Sequence, residues 1–145
     1  MSAKLVVGLD GEPSGGRALA YAERMAKLIG TCEIVVVFVV EWSPYSFQTA
    51  EENAERHKRR EAEIAVAMER VVTPAVEELK AAGLTASGVV RHGDVADTIN
   101  RISIEEKADQ IIVARSSEGG FVKRMFGSST GSLVMSASVP VTVVG

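Results

Sequence analysis

The sequence has little of several things, and each shortage excludes a class of protein. It holds one cysteine, Cys32, so it can form no internal disulfide and no cysteine cage for a metal. Its two histidines, His57 and His92, have no partners at metal-ligand spacing. Positive charge is also scarce: 16 Lys and Arg against 19 Asp and Glu give a formal net charge of −3. Nucleic-acid grooves and anionic membranes draw affinity from clustered positive charge, so neither partner is expected. The longest unbroken apolar run, Ile34 to Val40, is far short of the roughly 20 residues that span a bilayer. Met1-Ser2-Ala3-Lys4 leads into an apolar run broken at Gly8 and Asp10, which is not a secretory signal. The expected compartment is the cytoplasm, which the low cysteine usage also fits.

What is present is ordinary globular composition. The 145 residues are 46% hydrophobic and 24% charged, enough to bury one core in a single domain over 1–145. Leu5 to Leu9 is a short apolar run closed by the turn signal Asp10-Gly11, and it reads as a strand buried on both faces. Ser14 can cap a helix that starts just after Pro13 and ends at Gly30, with Leu19, Ala22, Met25, Ala26 and Ile29 at helical spacing. Ile34 to Val40 is a second strand. The loop from Glu41 to Phe47 gathers Trp42, Tyr45 and Phe47 around Pro44. These aromatics fit packing against the start of the next helix, with a lid over a base or a partner surface as the alternative.

A long charged helix follows from about Thr49 to Ala82, lined by Ile64, Met68, Val71, Ala75 and Leu79 and ended by Gly83. Its apolar phase crosses Pro74, so the expectation is one kinked helix rather than two. Between Glu51 and Arg70, six acids are mixed with five Lys or Arg, the pattern of a solvated face that includes His57. Thr85 to Val90 is a weaker third strand, and Asp94 caps a helix to about Lys107 with Val95, Ile99, Ile102 and Ile104 as buried positions. Gln110 to Ala114 is a fourth strand, Ser128 opens a short helix to about Ser138, and Val141 to Val144 is the last strand. Cys32 reads as a small core residue.

Strands alternating with helices imply right-handed crossovers and a parallel sheet covered on both faces. The expected fold is α/β: a three-layer, Rossmann-like doubly wound sheet of five parallel strands in the order 3-2-1-4-5, with four helices. Ligands of such sheets sit beyond the carboxyl ends of the strands where strand order reverses, here between strands one and four. Two segments face that point, Asp10 to Ser14 and Arg115 to Ser128. The second carries Gly119, Gly120 and Gly127, then Ser128 and Ser129 at a helix start, where free amides and the helix dipole favour an anion. Gly127 and Ser128 also fit plain helix capping. Arg115, Lys123 and Arg124 against Glu118 make this stretch locally positive in an acidic chain. Asp10 could accept hydrogen bonds from ribose hydroxyls or close its turn, and His92 ends a strand near the crevice.

These residues resemble the universal stress protein family along nearly the whole chain. Val6-Val7-Gly8-Leu9-Asp10-Gly11 is similar to the family's first strand and its Asp. Val39 matches the place where the family packs a valine against adenine, and His92-Gly93-Asp94 resembles the turn before its third helix. Lys123-Arg124-Met125-Phe126-Gly127-Ser128 through Val139-Pro140-Val141-Thr142-Val143-Val144 resembles its terminal signature. One branch of that family binds ATP through a Gly, two residues, Gly, nine residues, then Gly-Ser/Thr pattern. Alignment on Gly127-Ser128 places Ala114 and Ser117 where that branch has its first two glycines. Another branch lacks the motif and does not bind ATP.

The resemblance implies a regulatory domain binding an adenine nucleotide, ATP or AMP or a cyclic form, with magnesium as a possible companion. Asp10, Gly11 and Val39 would hold the nucleoside, and Ala114, Arg115, Ser117, Gly127, Ser128 and Ser129 would surround the phosphates. No nucleophile, general base or metal set stands out, so turnover is not expected. The alternative is a nucleotide-independent stress-response module acting through dimerisation and protein contacts. The family commonly dimerises through its last strand, and Val141, Thr142, Val143 and Val144 carry no Lys or terminal Pro to guard that edge. Two other readings fail on residues. Ser14-Gly15-Gly16 lacks the Asp and Ser that continue a pyrophosphatase-loop motif. A phosphoacceptor receiver domain needs an Asp where strand three ends in Arg91.

Overall fold

Alternation along the first strand decides the layers. In the computed structural model, which describes residues 2–10, 13–41, 50–115 and 128–145, β1 spans Ala3–Leu9. Leu5 and Val7 point to one face of the sheet and Val6 to the other, and all three are buried. A strand covered on both faces belongs at the centre of a parallel sheet, and β1 does lie there. Among the described residues, β2 (Cys32–Glu41), β3 (Thr85–Gly93), β4 (Gln110–Ala114) and β5 (Val141–Val144) join it in the order β3-β2-β1-β4-β5. Every neighbouring pair is parallel. The expected fold and strand order are therefore observed.

One face is covered by α1 (Pro13–Ile29) and by a helical run of three parts: α2 (Ala50–Ala67), a π turn (Met68–Val72) and α3 (Thr73–Ala81). Leu5, Val7, Ile34, Val36 and Ile112 from the sheet meet Leu19, Ala22, Val72 and Leu79 in that core. The other face is covered by α4 (Val95–Glu105) and α5 (Ser128–Ser136). There Val6, Val35, Val37, Val39, Ile111 and Val113 meet Ile99, Ile102 and Leu133. Each of the largest of these side chains contributes about 1.5–3 kcal/mol through burial. Cys32 is buried as expected, and burial is the main force pushing its thiol pKa up.

The Pro74 expectation is refined rather than overturned. The helical run does continue across Pro74, but the disturbance sits just before it. Proline has no N–H to give, and its ring crowds the carbonyl four residues back. The chain accommodates this by widening one turn, so that the Thr73 N–H donates to the Met68 carbonyl, five residues back. The extra residue shifts the apolar phase. Val72 and Val76 join Ala75 and Leu79 in the core, while Val71 is only partly buried. Gly88 of β3 makes room for this docking: a Cβ there would overlap Val72 Cγ1 and lie 3.2 Å from Val76 Cγ2.

Other sequence expectations need small corrections. Pro13 itself begins α1, so the helix already includes Ser14. Ile29 and Ile104 stay 46% and 54% exposed because each falls in the last turn of its helix, beyond the covered stripe. β3 runs three residues past Val90, with Arg91, His92 and Gly93 paired to Val39, Val40 and Glu41. Asp94 caps α4 as expected, its carboxylate accepting from the Asp97 N–H at 3.1 Å. Gly83 closes α3 at φ +86°. The aromatic loop of Trp42, Tyr45 and Phe47 lies outside the described residues.

Candidate functional site

The strand order reverses between β1 and β4, and the ladder there is short. Leu5, Val6 and Val7 pair with Gln110, Ile111 and Ile112, and the pairing stops. The flanking ladders go further: β1–β2 continues to Leu9↔Phe38, and β4–β5 to Ala114↔Val144. The last two residues of β1 and of β4 are thus each held by their outer neighbour and not by each other. This opens a crevice at the carboxyl edge of the sheet, the place where doubly wound sheets take ligands. Gly8 packs closely on the core there: a Cβ at Gly8 would lie 3.1 Å from Val113 Cγ1 and 3.0 Å from Ile99 Cδ1.

Asp10 follows β1 directly and is exposed on one lip. Arg115 follows β4 on the other lip, also exposed. The Arg115 N–H donates to the Val144 carbonyl at 2.7 Å, which carries the β4–β5 ladder one residue further. Its guanidinium lies near Gly145, just after β5, since a Cβ there would be 3.7 Å from Arg115 Nη2. The Arg115 carbonyl accepts from Arg17 Nη2 at 2.6 Å. Arg17 therefore ties the first turns of α1 to the end of β4. The sequence reading did not single it out. Its helical position is plain in the sequence, but the bond depends on a residue 98 positions away.

Val39 is buried at 6% exposure on the same face of the sheet as Val6, Val37 and Val113. Alternation along β1 puts Gly8 on that face too. Ala114 packs on the opposite face, toward the α1 side. Its methyl group is therefore on the face of the sheet opposite Val39 and Val113. Ser128 and Ser129 begin α5, one of two helices whose amino ends follow the carboxyl ends of strands beside this crevice; the other is α1. Gly11, Ser117 and Gly127, together with Gly119, Gly120, Lys123 and Arg124, lie outside the described residues.

His92 is not part of this crevice. It sits on β3, with β2 and β1 between it and β4. Burial is the largest influence on its imidazole and lowers its pKa; Arg60 and Arg56 lower it further, and Glu63 opposes them. No cluster of three or more metal-ligating side chains occurs among the described residues. No helix among them is long and apolar enough to cross a membrane.

A five-stranded parallel sheet whose strand order reverses between β1 and β4 places the chain among the open, doubly wound α/β domains. Comparison with known proteins narrows the class. The model of the universal stress protein family matches residues 1–145, and the chain belongs to that family. A curated universal stress protein from Mycolicibacterium smegmatis is 30% identical over 149 residues, covering 97% of this chain and 47% of the relative. The chain thus spans about half the length of that relative. The universal stress protein UspA from Lactobacillus plantarum superposes with a TM-score of 0.82 at 17% identity, covering 99% of this chain and 97% of its own. A universal stress protein from Archaeoglobus fulgidus in complex with dAMP matches at a TM-score of 0.62 and 18% identity, covering 100% and 98%. A universal stress protein in complex with cAMP matches at a TM-score of 0.69 and 21% identity, covering 99% of this chain and 97% of its own.

Proposed function

We propose that this chain is a regulatory domain that binds an adenine nucleotide in the crevice between β1 and β4. The observation that carries the reading is the early end of the β1–β4 ladder at Val7↔Ile112, with Asp10 and Arg115 on the two lips. Structures of the same fold in complex with cAMP and dAMP support it. Asp10 would accept from the ribose hydroxyls, with the Gly11 backbone beside it, and Val39 would lie against adenine. Ala114 through its backbone, Arg115, Ser117, Gly127, Ser128 and Ser129 would surround the phosphates. The Ala114 side chain packs on the opposite face of the sheet from Val39, so a methyl group in place of the branch's first glycine would leave that approach open. ATP would bring magnesium on its phosphate oxygens; AMP needs none. The Arg17 bond to the Arg115 carbonyl fixes the β4 lip and makes Arg17 a positioning residue. The reading includes no turnover and places the protein in the cytoplasm.

Titration calorimetry with AMP, ATP and cyclic AMP, with and without magnesium, tests this. The expected result is one site per chain. Arg17→Ala should weaken AMP binding about tenfold, the scale of a lost charge-assisted hydrogen bond, and Gly127→Glu should abolish it. Absence of heat and of any melting shift at millimolar nucleotide would reject the reading.

A second reading rests on β5. It is an edge strand, and Val143 on it is 39% exposed. An open hydrophobic edge favours pairing with another chain, so Val141 to Val144 would form a symmetric homodimer whether or not nucleotide is bound. A monomeric mass by light scattering at high protein concentration would exclude it.

A further inference from the structure

A second opening lies on the other face of the sheet, between β2 and α2, apart from the β1/β4 crevice. α2 is 18 residues long, yet among its described side chains only Ala67 is buried. Beyond the π turn the helical run docks tightly, with Val72 against Gly88. Before it, the helix stands off and leaves an open cleft of about 460 Å³, within the range of ligand pockets. Phe38 and Val40 of β2 face Val66 and Val71 across it, and the lining surface is almost wholly apolar. Val66 remains 48% exposed although it faces the sheet. The π turn contributes Arg70 and Val71 to the wall, and such turns recur at functional sites.

The charges at its margin carry a sign. Arg59 and Arg70 border the cleft against the single carboxylate of Glu63, and they lend it their aliphatic stems. Among the described residues neither guanidinium pairs with a carboxylate. Twelve residues separate Arg59 from Val71, which at about 1.5 Å per residue makes a groove about 18 Å long. An elongated apolar body with an anionic end fits those dimensions and that charge. We propose that this cleft binds the chain of a medium-length aliphatic carboxylate, with its carboxylate paired to Arg59 or Arg70.

Titration calorimetry of the full chain with octanoate, decanoate and dodecanoate, each below its micellar concentration, is the test. The expected result is one site per chain, with affinity rising about fourfold per added methylene. Val66→Asp places a charge in the wall at a half-exposed position that the fold tolerates, and should lower decanoate affinity at least tenfold with an unchanged circular dichroism spectrum. The double variant Arg59→Gln/Arg70→Gln should lower decanoate affinity about tenfold and leave octanol binding unchanged. No binding of any of the acids would overturn the proposal. So would equal affinity for decyltrimethylammonium, or full affinity in Val66→Asp. Binding that appears only after Trp42, Tyr45 and Phe47 are replaced by serine would assign the cleft to the chain's own segment 42–49 and overturn it equally.

Discussion

The sheet has two openings of opposite character, and they arise in different ways. The crevice between β1 and β4 is a product of backbone topology. Strand order reverses there, the ladder ends at Val7↔Ile112, and charged residues stand on both lips. The cleft under α2 is a product of helix register. One extra residue in the π turn docks Val72 on Gly88 and leaves the preceding helix standing off an apolar wall. A topological opening is shared by every chain with this strand order. An opening made by register belongs to the particular sequence, because it depends on Pro74, Val72 and Gly88 acting together.

Changing Gly88, which seats the docked part of the helical run, and Gly8, near the end of β1, should separate the two openings. Gly88→Ala forces its Cβ onto Val72 Cγ1, a branched side chain with little freedom at χ1. It should cost about 2–3 kcal/mol in urea unfolding and lower decanoate affinity with little effect on AMP. Gly8→Ala meets the movable tip of Ile99 at 3.0 Å and Val113 at 3.1 Å. It should cost about 1 kcal/mol and weaken AMP instead. If both variants shifted both ligands alike, the openings would not be independent.

A smaller effect is expected from pH, and it belongs to the α2 side. Burial, Arg60 and Arg56 hold the His92 pKa below its ordinary 6.5, with Glu63 opposing them. A group lowered in the folded state takes up its proton more readily when unfolded. The stability it supports is therefore present above about pH 6.5 and is lost as pH falls through the folded value. Melting temperature should decline from pH 7.5 to 5.5, and His92→Gln should flatten that decline. An equally steep profile in the variant would show that His92 is not the group responsible.

Strand content and order were legible in the sequence because aliphatic runs such as Ile111, Ile112 and Val113 are buried on both faces and admit little else. The end of β3 was legible only in part. The apolar run stops at Val90, yet Arg91, His92 and Gly93 continue an edge strand that pairs with Val39, Val40 and Glu41. The π turn was not legible. Pro74 signalled a disturbance, but whether the helix kinks or widens depends on what Val72 meets, and Gly88 lies 16 positions further along. The crevice lips at Asp10 and Arg115 followed from topology alone. Arg17 did not, because its bond joins segments that only folding brings together.

Backbone amide shifts of the labelled protein on addition of AMP test the central claim most directly. The account predicts changes at Gly8, Leu9, Asp10, Val39, Ala114 and Arg115, and none from Ala62 to Val71. Changes confined to Ala62–Val71, with Asp10 and Arg115 unmoved, would contradict it.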